Sequence, residues 1–469
     1  MNARNIIFYK LINLKNWMKK EIQIKKEFKK KQFQLVRGMK DILPEEQKYW
    51  LHIEDLVRRL ADKYSFQRIG MPIVENTELF KRSVGTATDI VEKEMYSFFD
   101  KGNENISLRP EFTAGIARAY IEHGMLNLPQ PVKLYALGPC FRYDKPQAGR
   151  YRQFNQINFE IIGEADAICD AQVILVAYQL YQQINLQVVI QINSIGCPDC
   201  RPEYENVLKD YLKKYRSKLS EVSGKRLSKN PLRILDSKEK DDQEIVKDAP
   251  QQVDYLCEGC REHFIQVLEY LDELEIPYAL NSKVVRGLDY YTRTTFEIWP
   301  VEGEDGRMVE LGGGGRYDGL AELIGGRPTP AVGFASGVER LVSLIKERKA
   351  PVKEPESLDI FLAQLGIEAR KRAITLFEEL YEADIKVTEG LARRGLKAQL
   401  ELANKLGVKY TLILGQKELI DGTIMIRDME GGIQEVVDAK KVILEVKKRL
   451  EKARVNVNEL NKVSAIGPT

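Results

Sequence analysis

Residues 150–162 read RYRQFNQINFEII, and their alternation is the clearest pattern in the chain. Side chains on a pleated strand alternate between its two faces. Arg150, Arg152, Phe154, Gln156, Asn158 and Glu160 therefore share one face, which carries two cations, an aromatic ring, two amides and a carboxylate. A solvated face is one reading. The other is a floor under a ligand with an anionic end and a hydrogen-bonding end, and Phe154 among amides favours it. KLYALGPCFRYD reads as the preceding strand, joined by the loop KPQAG, so Arg142 lies beside the Arg150 end of the row. MYSFFD and ISLRP flank the turn-rich KGNEN and predict a second hairpin. Ile53, Leu56, Val57, Leu60 and Tyr64 mark one face of a helix, with Pro44 suited to its first turn. TAGIARAYIEH reads as another helix. VVRGLDYYTRTTFEIW carries a strand from Tyr290 onward, and PAVGFASGVERL a short strand entering a helix. Hairpins between helices predict an α+β domain on a mostly antiparallel sheet, not a doubly wound nucleotide fold.

The pattern changes along the chain. Residues 1–33 form a basic extension with Ile7, Leu11, Leu14, Met18 and Ile22 at helical spacing. It reads as a solvated, partly helical arm or a phosphate-seeking one. One arginine, no serine and two glutamates argue against a mitochondrial leader, and initiation at Met18 also fits. The main domain spans 34–346. A helical, cysteine-bearing insertion interrupts it at 195–275. KERKAPVKEPES marks a linker at 347–357. From 358 to 450 strands and helices alternate, which predicts a small α/β domain, and 451–469 form a tail.

A chain of 469 residues is too long for one core, so two or three domains are expected. With 43% hydrophobic and 30% charged residues it reads as soluble and globular, with no membrane span. The formal charge of +3 does not announce nucleic acid; a basic face must be argued locally. The histidines, His52, His123 and His263, sit in no pattern with Ser, Cys or a metal-ligand partner, which disfavours Ser-His-Asp and Cys-His chemistry. No signal-peptide core precedes the cysteines, so a reducing cytoplasm is expected. Cys197, Cys200, Cys257 and Cys260 form two C-x-x-C knuckles. They read as a four-thiolate structural zinc site or as two unrelated turns with reduced thiols.

Four further features bear on chemistry. Arg142 and Arg150 together suit a polyphosphate, through bidentate charge-assisted bonds. LGGGGRYDGL, residues 311–320, allows close backbone approach, but alone it reads as a flexible turn. Arg340 falls about one turn into the helix after Gly337, where an arginine ordinarily faces solvent. An unbroken strand would put Arg286 and Tyr291 on opposite faces, so a turn near Gly287 is needed for both to meet one ligand.

Taken in order, these segments resemble the motifs of class II aminoacyl-tRNA synthetases. The F-R strand, loop and antiparallel strand are similar to motif two, and G-x-x-x-G-x-E-R to motif three. RGLDYYTRTTFEIW and GGGGRYDGL resemble the two histidine signatures of histidyl-tRNA synthetases. RGMKDILP, RPEFTAG and GRYRQFNQINFEIIG extend the likeness over about residues 35–450. The class I signatures are absent. The resemblance implies a class II catalytic domain with an anticodon-binding-like C-terminal domain, acting as a homodimer on histidine, ATP, Mg²⁺ and tRNA(His). It implies that Arg142 and Arg286 are catalytic, and that Arg142, Arg150, Phe154 and Arg340 bind ATP. Glu111, Thr113, Gln156, Glu160, Arg286, Tyr290 and Tyr291 would bind histidine, and Gln147 would touch the tRNA acceptor end. Phe112, Lys145 and Asn158 depart from the common pattern without removing a catalytic group. Two rival readings are a non-catalytic regulatory paralogue and a bare RNA-binding protein.

Overall fold

The computed structural model describes residues 33–86, 88–145, 149–301, 310–354 and 357–452. The basic arm up to residue 32, Gln147 and most of the tail lie outside the described residues. The chain divides after Lys353 into two compact units.

In the first unit the helix Pro44–Tyr64 begins as its sequence dictates. Proline stands in the first turn with Glu45 and Glu46, Lys63 stands in the last, and Ser65 ends it at φ 61°. Its Ile53, Leu56, Val57 and Leu60 are buried on one face.

Among the described residues, eleven strands follow in this unit: β1 (Gln67–Arg68), β2 (Val74–Asn76), β3 (Ser97–Phe99), β4 (Asn105–Leu108), β5 (Val132–Phe141), β6 (Gln153–Ile162), β7 (Val188–Ser194), β8 (Tyr278–Leu280), β9 (Thr292–Pro300), β10 (Gly312–Arg316) and β11 (Ala331–Gly337). The large sheet has the order β1-β5-β6-β11-β10-β9-β7-β8. Its central pairs are antiparallel, and only the edge pairs β1–β5 and β7–β8 are parallel. β2, β4 and β3 form a small separate sheet.

The alternation in β6 divides the molecule. Ile157, Phe159 and Ile161 enter a core closed by the helices Pro44–Tyr64, Ala167–Gln182, Glu258–Glu273 and Val338–Glu347. Phe159 stacks on Phe334 at 5.4 Å and on Tyr135 at 5.7 Å. Burying each such side chain contributes about 1.5–3 kcal/mol, which fixes the strand's register and commits its other face to the site. A second apolar cluster joins that opposite face to the inserted helices, through Ile116, Leu134, Tyr204, Leu208 and Leu232.

Two expectations change here. The glycine run is not a flexible turn: β10 is a buried central strand between β9 and β11. A stretch without side chains gives no period from which to read a strand. The strand expected from Tyr290 begins at Thr292, which leaves both tyrosines in the turn before it.

The second unit has its own sheet, ordered β13-β12-β14-β15-β16: β12 (Ile360–Gln364), β13 (Val387–Glu389), β14 (Tyr410–Leu414), β15 (Thr423–Asp428) and β16 (Gln434–Asp438). β12 runs parallel to β13 and β14, while β14, β15 and β16 are antiparallel. Ile360, Leu376, Leu412, Ile426 and Val446 belong to its core. Arg393, Arg394 and Lys397 are exposed. Among the described residues, no helix is long and apolar enough to cross a membrane.

Candidate active site

A cavity of about 580 Å³ opens over the polar face of β6, within the usual range for a small-molecule site. Its floor carries Phe154, Gln156 and Glu160 from β6, with Gly333 of β11 and Gly313 of β10 alongside.

One end is acidic and phenolic. Glu160 is buried and accepts hydrogen bonds from Tyr317 Oη at 2.6 Å, Thr113 Oγ1 at 2.8 Å and Asn158 Nδ2 at 2.9 Å. Burial pushes its carboxyl up to about 7, and these donors restrain the rise. Gly333 makes room for that carboxylate: a Cβ there would lie 1.5 Å from Glu160 Oε2. Glu111 accepts from the backbone N–H groups of Thr113 at 2.6 Å and Ala114 at 2.8 Å. It thereby satisfies two orphan donors at the start of the helix Thr113–Glu122 and holds Thr113 toward Glu160. The Tyr290 ring stands 4.7 Å from that of Tyr291 and 5.6 Å from that of Tyr317. Burial pushes the Cys140 thiol up to about 12, so it stays protonated and donates to Gln156 Oε1 at 3.4 Å.

The other end is cationic. Arg142 donates through Nε to the Pro110 carbonyl at 2.9 Å, and its guanidinium lies 5.3 Å from the centre of the Phe154 ring. Arg150 pairs with Asp144 at 3.1 Å. Arg340 faces the same cavity and donates to the Glu310 carbonyl oxygen. Arg142 and Arg150 are close enough to repel its charge. Three guanidiniums around an aromatic ring match a nucleoside polyphosphate.

Arg286 stands between Glu297, at 3.1 Å, and Glu310, at 2.5 Å. Burial opposes its charge, and the two carboxylates outweigh that effect. The expected turn is present but falls one residue earlier. Arg286 itself adopts the left-handed conformation, at φ 55°. That conformation costs about 1 kcal/mol or more outside glycine, and persists only where neighbours over-determine it. Gly287 instead gives room to Arg233, whose Nη1 donates to the Arg286 carbonyl at 3.1 Å. Gly313 leaves space for the guanidinium, since a Cβ there would lie 2.6 Å from Arg286 Nη1.

Arg142, Arg150, Phe154, Arg340, Glu111, Thr113, Gln156, Glu160, Arg286, Tyr290 and Tyr291 thus line one cavity. Arg152 departs from the row. β6 begins at Gln153, so the alternation does not reach Arg152, which stacks over Tyr143 at 3.7 Å and donates to the Arg37 carbonyl at 3.3 Å. Arg340 faces the cavity and not open solvent. Tyr317, Glu297 and Glu310 also line the cavity, as do Arg226 and Arg233 from the inserted helices and Lys238 from the link between two of them, and the alternation along the sequence points to none of these. Tyr317 lies inside the quoted glycine signature, and Glu297 lies on the strand that follows Tyr291. The other four have no local signal. The sulfurs of Cys197, Cys200, Cys257 and Cys260 converge in a separate cluster.

A family model described as Histidyl-tRNA synthetase matches residues 38–341, and one described as Anticodon binding domain matches residues 359–449. The chain is 45% identical over 419 residues to the histidine–tRNA ligase of Dehalococcoides mccartyi, covering 89% of this chain and all of that one. It is 44% identical over 414 residues to that of Desulforamulus reducens, covering 88% and 98%. The apo histidyl-tRNA synthetase of S. aureus superposes with a TM-score of 0.74 at 36% identity, covering 89% of this chain and all of that one. With so much of both sequence and fold shared, the chain belongs to the histidyl-tRNA synthetase family.

Proposed function

We propose that this cavity joins histidine to ATP and passes the product to tRNA(His). The chain is a histidine–tRNA ligase. Glu160, which carries the reading, is a buried carboxylate held by three donors at one end of a cavity whose other end gathers arginines. Glu160 and Tyr291 meet the imidazole, with Tyr290 behind them. Glu111, Thr113 and Gln156 face the α-amino group. Phe154 stacks on adenine. Arg150 and Arg340 hold the outer phosphates, and Arg142 the α-phosphate.

The substrate carboxylate is already ionised at neutral pH, so it attacks the α-phosphorus without a general base. A carboxylate–phosphorus bond forms, the bond to pyrophosphate breaks, and histidyl-adenylate remains. Catalysis is positioning plus stabilisation of phosphoryl charge by Arg142 and Arg286. Glu310 and Glu339 line the cavity near the arginines, an oxygen donor set that fits Mg²⁺. The ion supplies further neutralisation of phosphate charge when bound. The terminal ribose hydroxyl of the tRNA then attacks the activated carbonyl, and AMP leaves. Gln147, outside the described residues, is the residue proposed to touch the acceptor end. Selectivity follows from polar groups that an amino acid lacking the ring nitrogens would leave unpaired, a discrimination of ~10⁴ or more.

The second unit binds the anticodon region, two chains form a homodimer, and the enzyme works in the cytoplasm. ATP–pyrophosphate exchange with each of the twenty amino acids tests the reading. Exchange with histidine alone supports it. A regulatory paralogue or an RNA-binding protein gives none.

A further inference from the structure

The four knuckle cysteines lie outside the cavity, yet they are tied to it. Their sulfurs all fall within 4.8 Å of one another. Cys197 Sγ is 3.7 Å from Cys200 Sγ and 3.9 Å from Cys257 Sγ, and Cys200 Sγ is 3.9 Å from Cys260 Sγ. Thiolates held about 2.3 Å from a tetrahedral Zn²⁺ stand about 3.8 Å apart, whereas a disulfide needs about 2.05 Å. These three spacings therefore match the edges of a metal tetrahedron and not a disulfide. The Cys197 backbone N–H donates to Cys200 Sγ at 3.3 Å, which steadies a thiolate there. Gly196, at φ 68°, allows this loop; a Cβ on it would lie 2.7 Å from Cys200 Sγ.

The first knuckle continues directly into the histidine end of the cavity. Arg201, the residue after Cys200, donates to the carbonyls of Ile195 at 3.1 Å, Gly196 at 3.2 Å and Tyr291 at 2.6 Å. Ile195 N–H donates to the Arg293 carbonyl at 2.8 Å, and Arg293 N–H to the Gly196 carbonyl at 2.9 Å. The second knuckle opens the helix Glu258–Glu273, which packs in the core beneath the large sheet. A metal here would tie the entrance of the inserted helices to that helix. It would also fix the backbone from which the Tyr291 ring projects, with Arg201 balancing the negative charge of four thiolates.

We propose that Cys197, Cys200, Cys257 and Cys260 bind one Zn²⁺ as four thiolates, and that this site, acting through Arg201, positions Tyr291 in the amino-acid pocket. The second half rests on reading that pocket as the one for histidine. Binding releases the thiol protons to solvent, and no coordination position stays open for catalysis.

Elemental analysis of the full chain, purified without chelator, should find one zinc per chain. The cobalt(II)-substituted protein should show the intense thiolate-to-metal absorption of a tetrahedral four-sulfur site, weakened in Cys257→Ser. Absence of bound metal and of that absorption overturns the site. Cys257→Ser and Arg201→Lys should each raise the histidine KM in pyrophosphate exchange by about tenfold while moving the ATP KM by no more than about twofold. If Cys257→Ser does not fold, zinc stripped from the wild-type enzyme by a mercurial gives the same comparison. A histidine KM indifferent to zinc loss and to Arg201→Lys overturns the coupling. Should the zinc-loaded wild type show no exchange with histidine, the pocket assignment fails and the coupling with it, while the cobalt spectrum still decides the metal site.

Discussion

Tyr317 donates its phenolic hydrogen to Glu160 Oε2 at 2.6 Å, with both side chains buried. The bond favours the ionised carboxylate against the burial that pushes Glu160 up to about 7. If ionised Glu160 receives the imidazole, kcat/KM for histidine rises with pH through about 7 and then levels. The substrate imidazole also titrates, near about 6.5. Tyr317→Phe separates the two. Losing that donor moves the acid limb to higher pH, while the substrate's own titration stays where it was. Superimposable limbs for wild type and variant would count against the assignment.

The same carboxylate costs the free enzyme stability. Its folded value lies above the ordinary 4.5, so the folded state holds the proton more tightly. That stabilisation is complete below about 4.5 and is lost as pH rises through about 7, a change of roughly 3 kcal/mol. Glu160→Gln, which cannot ionise, is therefore expected to resist urea better than wild type at pH above this window, although it binds histidine poorly. Equal urea midpoints would mean that Glu160 carries no raised value.

Gly333 offers a steric test of the floor. In Gly333→Ala the new methyl would meet Glu160 Oε2 at 1.5 Å, so the carboxylate must swing out of its three hydrogen bonds. Exchange with histidine should fall by ~10², in line with losing a hydrogen bond to a charged group worth about 1.5–3 kcal/mol. Gly319→Ala, where no atom lies within 4 Å of the added carbon, serves as the control. Equal activity in the two variants would remove Gly333 from the account.

Much of this site was legible because a half-buried strand has a period. Phe154, Gln156, Asn158 and Glu160 fall on one face, and the hydrophobic partners Ile157, Phe159 and Ile161 enforce it. Arg152 leaves the row because the strand begins only at Gln153. The glycines of β10 were opaque for the opposite reason. Their use is the absence of a side chain beside Arg286, which only the folded sheet reveals. Arg286 shows a third limit: glycine marks where a left-handed turn is easy, yet here Glu297 and Glu310 hold an arginine in one. Arg233 and Glu310 reach the cavity from distant segments, and no local pattern joins them to it.

Stability should depend on a pair that lies away from the cavity lining. Arg316 and Asp170 are fully buried and paired, and Arg316 also donates to the carbonyls of Glu164 at 3.0 Å and Asp166 at 3.1 Å. Arg316→Ala leaves the buried Asp170 without a guanidinium partner, with only His263 Nε2 at 3.4 Å beside it, and should cost about 3–5 kcal/mol in urea unfolding. Burial pushes Asp170 up, and Arg316 together with His263 outweighs it to hold the carboxyl below its ordinary value. Its contribution is therefore present above the unfolded pKa of about 3.9 and is lost as pH falls through the lower folded value. A variant as stable as wild type at neutral pH would contradict this.

The central claim is that one cavity has an amino-acid end and a nucleotide end. Its most direct test is a crossed measurement of histidine and ATP KM values in pyrophosphate exchange for Glu160→Gln and Arg340→Ala. The prediction is a histidine KM raised by ~10² in Glu160→Gln with the ATP KM within a fewfold of wild type, and the reverse in Arg340→Ala. Equal changes for both substrates in both variants, or an ATP defect in Glu160→Gln alone, would contradict it.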